Sequence, residues 1–390
     1  MIRLGVLGYG RRINNVINFM QKLGEGPEVT AITDVRNDEI KAKMREDERD
    51  PDKVAFYTDP DEMLDKEELD GVLVGTRCHL HAKMGVKVLE HNLPLYLEKP
   101  VATTMEDLIA LRNAAEKSTS KVVVSFPLRT TPHSRIAKEI IDSGKLGTIE
   151  HVQAWNNVYY GGCYYHGWYR DENETHGLWL QKATHDLDNI NYLLGDNKPV
   201  MIAAMTSKQI FKGDRPAGLK CNDCKEWDTC LESPYHMYFS SQSAKRVEPN
   251  DNLCSFAVDT GNEDSGGALI RYETGMHVSY SQNFFTRKGG GKRGVRLFGY
   301  KGTLEYDWTT DEVKVFMHHS PVAETYKVGG ASMSHGGGDT VLVDNFKRVI
   351  TQGAESIAPI EAGLMSVLMC LKAKESDKTN TFQEIKYPDR

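Results

Sequence analysis

Residues 179–188 read WLQKATHDLD and set a lysine, a histidine and two aspartates among large apolar side chains. Histidine titrates near neutral pH and can pass a proton, a carboxylate can orient it, and an ammonium can hold negative charge developing on oxygen. At about 100° per residue, Ala183, Leu187, Ile190 and Leu194 fall on one stripe of a helix that continues to YLLGD, which marks its core face. Gln181, His185, Asp188 and Tyr192 then share the opposite side, with Lys182 on the flank. That side is either a solvated face or a reactive one, and only the rest of the chain distinguishes them.

A second group of residues points to a nucleotide. In LGVLGYGRRINNVI, Gly8, Tyr9 and Gly10 stand between a strand and a helix, where tight turning lets a pyrophosphate rest on the helix N-terminus. Ile13 replaces the third glycine of G-x-G-x-x-G, and Arg11 and Arg12 are expected to help hold phosphate charge. Asp34 closes the next strand in AITDVR, where an acid bonds a ribose 2′-hydroxyl and favours NAD. Arg36 keeps NADP open, because an arginine there can pair a 2′-phosphate. The stretches GTRCHLHA and LYLEKPVA follow later strands and bring Thr76, Arg77, His81, Glu98 and Lys99 to the carboxyl ends, where doubly wound sheets place ligands.

A third group is KCNDCKEWDTC. Cys221, Cys224 and Cys230, with Cys254 further on, have spacing that suits a tetrahedral structural zinc; His236 is the alternative fourth ligand, and unliganded thiols or an iron–sulfur cluster are the competing readings.

These groups must be positioned by their elements. Over the first 120 or so residues apolar runs such as IRLGVLG, EVTAITD, GVLVGT, PLYL and KVVVSF alternate with helical periods, which predicts βαβ units and a doubly wound parallel Rossmann sheet over residues 1–125. From 126 to 390 longer alternating runs predict an α+β domain with a large open, mostly antiparallel sheet, a cysteine-rich insertion at about 205–255 and closing helices that pack back on the body. With 390 residues, 39% hydrophobic and 26% charged, the chain can bury sizeable cores. A net charge of −7 without a long basic run argues against nucleic acid or an anionic membrane as the partner and favours a small molecule. No apolar run approaches a membrane span, and the chain reads as cytoplasmic. An open sheet with one uncovered face suggests a homodimer or homotetramer.

The N-terminal glycines, Asp34, His81 in HLHA, Glu98-Lys99-Pro100, THDLDNINYLLGD and LFGYKGTLEYD together resemble the glucose-fructose oxidoreductase, inositol dehydrogenase and MocA (Gfo/Idh/MocA) family over essentially the whole chain. The resemblance implies that Lys99 sits beside a nicotinamide and contacts the reacting hydroxyl, that His185 is the proton-transferring base, that LFGYKGTLEYD is a late sheet strand, and that Arg129 lies near the substrate cleft. Many members carry an aspartate four residues before the histidine, whereas this chain has Gln181, which can orient a hydroxyl but cannot relay a proton. Lys182 and Asp188 are the neighbouring candidates for substrate contact. Tyr164, Tyr165 and Trp168 in YYGGCYYHGWYR are expected to stack on a sugar ring or, alternatively, to form an oligomer contact. His335 and Asp339, on a glycine turn, are placed at the same cleft, with helix capping as the plainer role for Asp339. The expected activity is hydride transfer between NAD and a secondary hydroxyl of a sugar, glycoside or cyclitol. A redox-neutral, NAD-dependent glycosidase is the alternative.

Overall fold

The computed structural model describes residues 2–22, 26–233, 252–329 and 337–388, so His236 and His335 lie outside the described residues. Six short strands, β1 (Ile2–Leu7), β2 (Pro27–Thr33), β3 (Ala55–Tyr57), β4 (Gly71–Val74), β5 (Leu95–Leu97) and β6 (Val122–Val124), pair in parallel in the order β3-β2-β1-β4-β5-β6. Val72, Leu73, Val74, Leu95, Tyr96 and Leu97 are all fully buried, because helices cover both faces; that double burial is why these strands read as unbroken apolar runs. Strand order reverses between β1 and β4, and ligands of such sheets bind outside the carboxyl ends at that point. β3 and the helix Pro60–Lys66 have no counterpart in the sequence reading. β3 is a three-residue, half-buried edge strand, too short for its apolar pattern to register.

The second sheet has nine strands: β7 (Ile149–Asn157), β8 (Pro199–Ser207), β9 (Ser265–Tyr272), β10 (His277–Asn283), β11 (Lys292–Gly299), β12 (Gly302–Asp307), β13 (Glu312–Met317), β14 (Ala323–Lys327) and β15 (Gln383–Glu384). All neighbours are antiparallel except β7 and β10, which run parallel at the centre. LFGYKGTLEYD, expected as one strand, is a hairpin that sets Leu297 of β11 opposite Leu304 of β12. Burial alternates along these strands: Val278 and Tyr280 point to the core, whereas Leu269, Met205 and Phe316 lie on an open face.

The closing helices tie the two sheets together. Ile360–Thr379 packs on β8, on the helix Thr184–Leu194 and on the Rossmann helix Met105–Lys117. Gly338–Gln352 packs on the helix Arg11–Lys22 and on the turn Pro127–Thr130. That contact is close enough that a Cβ on Gly338 would stand 2.1 Å from the Pro127 carbonyl oxygen. Among the described residues no helix is long and apolar enough to cross a membrane.

Candidate active site

At the switch point Gly8 has φ +84°, and a Cβ there would lie 2.7 Å from the Thr76 backbone; only glycine lets β1 and the loop after β4 approach this closely. A Cβ on Gly10 would meet the Gly75 carbonyl oxygen at 3.8 Å, an ordinary contact. Ile13, in place of the third glycine, is accommodated from the opposite side: a Cβ on Gly75 would stand 2.0 Å from the Ile13 side chain. The small residue needed for helix-to-strand packing has moved to the end of β4. Asp34 accepts hydrogen bonds from the backbone N–H of Tyr9 (2.9 Å) and of Arg36 (2.9 Å), which aims its carboxylate at the glycine turn. This glycine cradle, with the carboxylate beyond it, fits a dinucleotide.

Two residues expected at the cofactor do other work. Arg12 donates to Glu98 (2.9 Å), Ser125 (3.0 Å) and Asp339 (2.5 Å), so its guanidinium joins the Rossmann helix to the Glu98 turn and the closing helix and is not free to hold phosphate. The same contact gives Asp339 a partner that a capping role would not require. His81 is buried, with Nδ1 2.8 Å from the Pro100 carbonyl oxygen and Nε2 3.0 Å from that of Thr76, and burial pushes its pKa down. It clamps the two strand-end loops together from beneath. Arg11 is exposed, and Arg36 pairs with Asp34 at 3.4 Å.

The Lys99 ammonium donates to the main-chain carbonyl of Gln181 (2.8 Å), which joins the Rossmann edge to the stretch WLQKATHDLD. Burial, and then the neighbouring Lys182 cation, push Lys99 down to about 8. The stretch is not a uniform α-helix. Trp179–Ala183 form a π turn, followed by the helix Thr184–Leu194. Its entry is held by Gly177 (φ +94°) and by Glu263, whose carboxylate accepts from the Trp179 N–H (2.8 Å), while the fully buried Trp179 ring packs on Tyr280. A wide turn of this kind is frequent at functional sites because it shifts side chains by about one residue relative to a regular helix. No face of the helix is solvated: Gln181, His185, Asp186, Asp188 and Asn189 are buried together with Ala183, Leu187 and Ile190. The expected stripe ends on Leu193; Leu194 is only half-buried.

Inside this buried helix the polar residues divide into anchors and candidate reactive groups. Asp188 forms two hydrogen bonds with Arg129 (2.8 and 2.6 Å), and Arg129 also donates to the Ile357 carbonyl (3.2 Å). The two expected substrate contacts therefore bind each other. Asp186, the first of the two aspartates in the stretch, accepts from Asn156 (2.8 Å), Tyr280 (2.8 Å) and Arg293 (2.7 Å) and fastens the helix to the second sheet. The Gln181 amide donates to the Cys78 sulfur (2.7 Å). His185 lies edge-on to Phe126, with ring centroids 6.1 Å apart. Lys182 donates to the Tyr160 hydroxyl (2.6 Å) and stands over the rings of Tyr160 and Tyr164. Neither Tyr160 nor Cys78 stands out in the sequence; each is brought to the cleft by contacts between distant segments.

The aromatic loop is mostly turned inward. Tyr165 is fully buried, stacked on Phe211 with centroids 3.9 Å apart, and donates to the Glu263 carbonyl (2.7 Å); Tyr164 is 8% exposed. A Cβ on Gly161 would stand 2.0 Å from the Phe284 carbonyl oxygen, so the hinge folds the loop against the sheet. Trp168 stacks on Tyr169 at 3.9 Å and carries the Arg77 guanidinium 3.9 Å above its ring, which docks the loop to the Rossmann domain. The expected sugar-stacking role of Tyr164, Tyr165 and Trp168 is thus replaced by packing, and the exposed aromatics are Tyr159 and Tyr160.

Cys221, Cys224, Cys230 and Cys254 line one cavity of about 20 Å³ together with His166 and Trp227. Among the described residues, however, no group of three or more His, Cys, Asp and Glu side chains is arranged to hold a metal ion, so the expected zinc site is not supported. Burial, with the other three cysteines nearby, pushes the Cys221 thiol up to about 12. The insertion is braced by hydrogen bonds instead: His166 lies 2.7 Å from the carbonyl oxygens of both Leu253 and Glu232, and Arg170 donates to the Cys254 carbonyl (3.0 Å) and to Asp259 (2.5 Å).

Comparison with known proteins places this geometry. Residues 2–126 match the family model described as the NAD-binding Rossmann fold of an oxidoreductase family, and residues 138–386 match its C-terminal alpha/beta domain. The protein YteT of Bacillus subtilis (strain 168) is 28% identical over 317 residues, 73% of each chain. The scyllo-inositol 2-dehydrogenase (NAD(+)) of the same organism is 24% identical over 206 residues, 50% of this chain and 54% of that one. The structure of a levoglucosan dehydrogenase in complex with NADH and levoglucosan superposes with a TM-score of 0.77 at 17% identity over the full length of both chains, which establishes a shared fold.

Proposed function

The chain belongs to the Gfo/Idh/MocA oxidoreductase family, and from that premise we propose that it is an NAD-dependent dehydrogenase of a secondary hydroxyl, or the matching ketone, on a sugar, glycoside or cyclitol. The observation that carries this reading is the meeting of Lys99, at the carboxyl edge of the Rossmann sheet, with the turn and helix that hold His185. Inositol and levoglucosan dehydrogenases among the relatives support the substrate class. Gly8, Gly10 and Asp34 would hold the dinucleotide, and Arg36 leaves room for the phosphorylated form. Bound there, the nicotinamide supplies the hydride acceptor or donor. Lys99, already lowered toward neutrality by burial, holds charge that develops on the substrate oxygen. His185 takes the hydroxyl proton, and Phe126 restricts the ring's orientation. The Asp188–Arg129 pair fixes the helix one turn beyond. Buried between two domains, these groups work in a poorly hydrated space where such interactions are strengthened.

The test mixes purified protein and NAD with a panel of inositols, hexoses and anhydrosugars and follows NADH absorbance. At least one member should produce NADH, and His185→Ala and Lys99→Met should each lower kcat by about 10²-fold or more. Release of nitrophenol from a nitrophenyl glycoside without net NADH would replace this reading with the redox-neutral glycosidase. The assembly accompanying this reading is a homo-oligomer formed through the open face of the nine-stranded sheet.

A further inference from the structure

Gln181 leaves the cleft without a proton carrier at the position where the resemblance leads one to expect an aspartate, and its amide is committed to Cys78. The next residue changes the situation. Lys182 is 7% exposed and donates at 2.6 Å to the hydroxyl of Tyr160, a residue 42% exposed on the loop after β7. The Lys182 ammonium also lies within 4.7 Å of the Tyr160 ring centroid and 5.2 Å of that of Tyr164. Its charge reaches Lys99, whose pKa it helps to lower, and Lys99 in turn donates to the carbonyl of Gln181, the residue before Lys182.

We propose that Tyr160 and Lys182 form a second acid–base pair of this cleft, in which the Tyr160 phenolic oxygen exchanges a proton with a hydroxyl of a bound polyol. The transfer is a proton exchange only. The O–H bond of a substrate hydroxyl other than the one His185 deprotonates breaks, the phenolate oxygen gains that proton, and the negative charge passes to the substrate oxygen facing the Lys182 ammonium. The inference rests on the reading of the cleft as a polyol dehydrogenase site. A phenol suits the task if its ionised form is stabilised near working pH, and the surroundings provide for that. Desolvation opposes ionisation of Tyr160, and Cys163 on its own loop adds to that opposition; the Lys182 cation, the Arg293 cation on β11 and the hydrogen bond from Lys182 outweigh them, so the phenol titrates below its ordinary value, while the neighbouring Tyr164 is pushed well above its own. Arg293 is itself held by Asp186, which fixes its charge in place beneath the pair.

The pair is tested without relying on turnover. Tyrosinate absorbance is titrated with pH in the wild-type protein, in Tyr160→Phe and in Lys182→Met, with circular dichroism confirming that each is folded. One tyrosine should ionise below the others in the wild type; this step should vanish in Tyr160→Phe and move upward in Lys182→Met. A wild-type titration with no early step, or an early step that survives in Tyr160→Phe, overturns the proposal. With a polyol identified in the panel above, Tyr160→Phe should lower kcat by about 10²-fold with a much smaller change in KM. An unchanged kcat also overturns the proposal. If the whole panel is silent while the early tyrosine step is present, the dehydrogenase reading fails and the ionisable pair stands.

Discussion

At the scale of single residues, Lys99 is a group whose surroundings change its chemistry. A lysine lowered from 10.5 to about 8 by burial and by Lys182 binds fewer protons in the folded chain than in the unfolded chain across that interval. Stability attributable to Lys99 should therefore rise with pH from about 8 to 10.5 and stay flat below about 8, where both states are protonated. Chemical denaturation of wild type and Lys99→Met over this range measures the difference, and a gap between them that narrows or widens only below pH 8 contradicts the assignment. Lys99 and His185 were proposed from the family resemblance carried by Glu98-Lys99-Pro100 and THDLDNINYLLGD. Tyr160 was not, because nothing local distinguishes it from Tyr159; the ammonium that selects it arrives from a segment 22 residues away.

At the scale of elements, the helix Thr184–Leu194 looked amphipathic but is buried on every side from Thr184 to Ile190. Its aspartates answer the cost of that burial. Asp188 is 1% exposed and Arg129 11% at the side chain, and removal of one partner strands the other charge in a poorly solvated place. Asp188→Ala should lower unfolding free energy by about 3–5 kcal/mol, read from urea denaturation, whereas the double change Asp188→Leu with Arg129→Met should recover much of the loss. A double variant no more stable than the single one would show that the pair contributes more than mutual neutralisation. The helix stripe could be counted from the sequence, since apolar spacing reports which side meets a core. The π turn at Trp179–Ala183 could not, because it is set by Glu263 and by the packing of Trp179 on Tyr280, both more than 80 residues downstream.

At the scale of the whole molecule, the nine-stranded sheet covers one face with helices and leaves the other with Leu269, Met205 and Phe316 exposed at 53%, 77% and 40%. Apolar side chains on so broad a face favour association with a second copy of the chain. Leu269→Glu should shift the protein to a smaller species in size-exclusion chromatography or light scattering; a wild type that already runs as a monomer refutes the oligomer proposal. Assembly of the cleft belongs to this scale too. The Arg12 network with Glu98 and Asp339, and the Arg77–Trp168 contact, join segments of the first domain to segments more than 80 residues away.

The sequence by itself determined the two sheets and the glycine turn after the first strand, since each depends on local periodicity or turn chemistry, and the family resemblance singled out Lys99 and His185 as candidates. Only the tertiary structure decided how the charges are spent. Arg12, His81, Arg129 and Asp188 resembled ligand-binding groups, yet each found a partner inside the protein, because a buried charge or ring nitrogen must be satisfied by whatever the fold brings near it. The four cysteines show the same limit: their spacing suggested a metal, while the fold gathers them around a small cavity and leaves the bracing of the loop to His166 and Arg170.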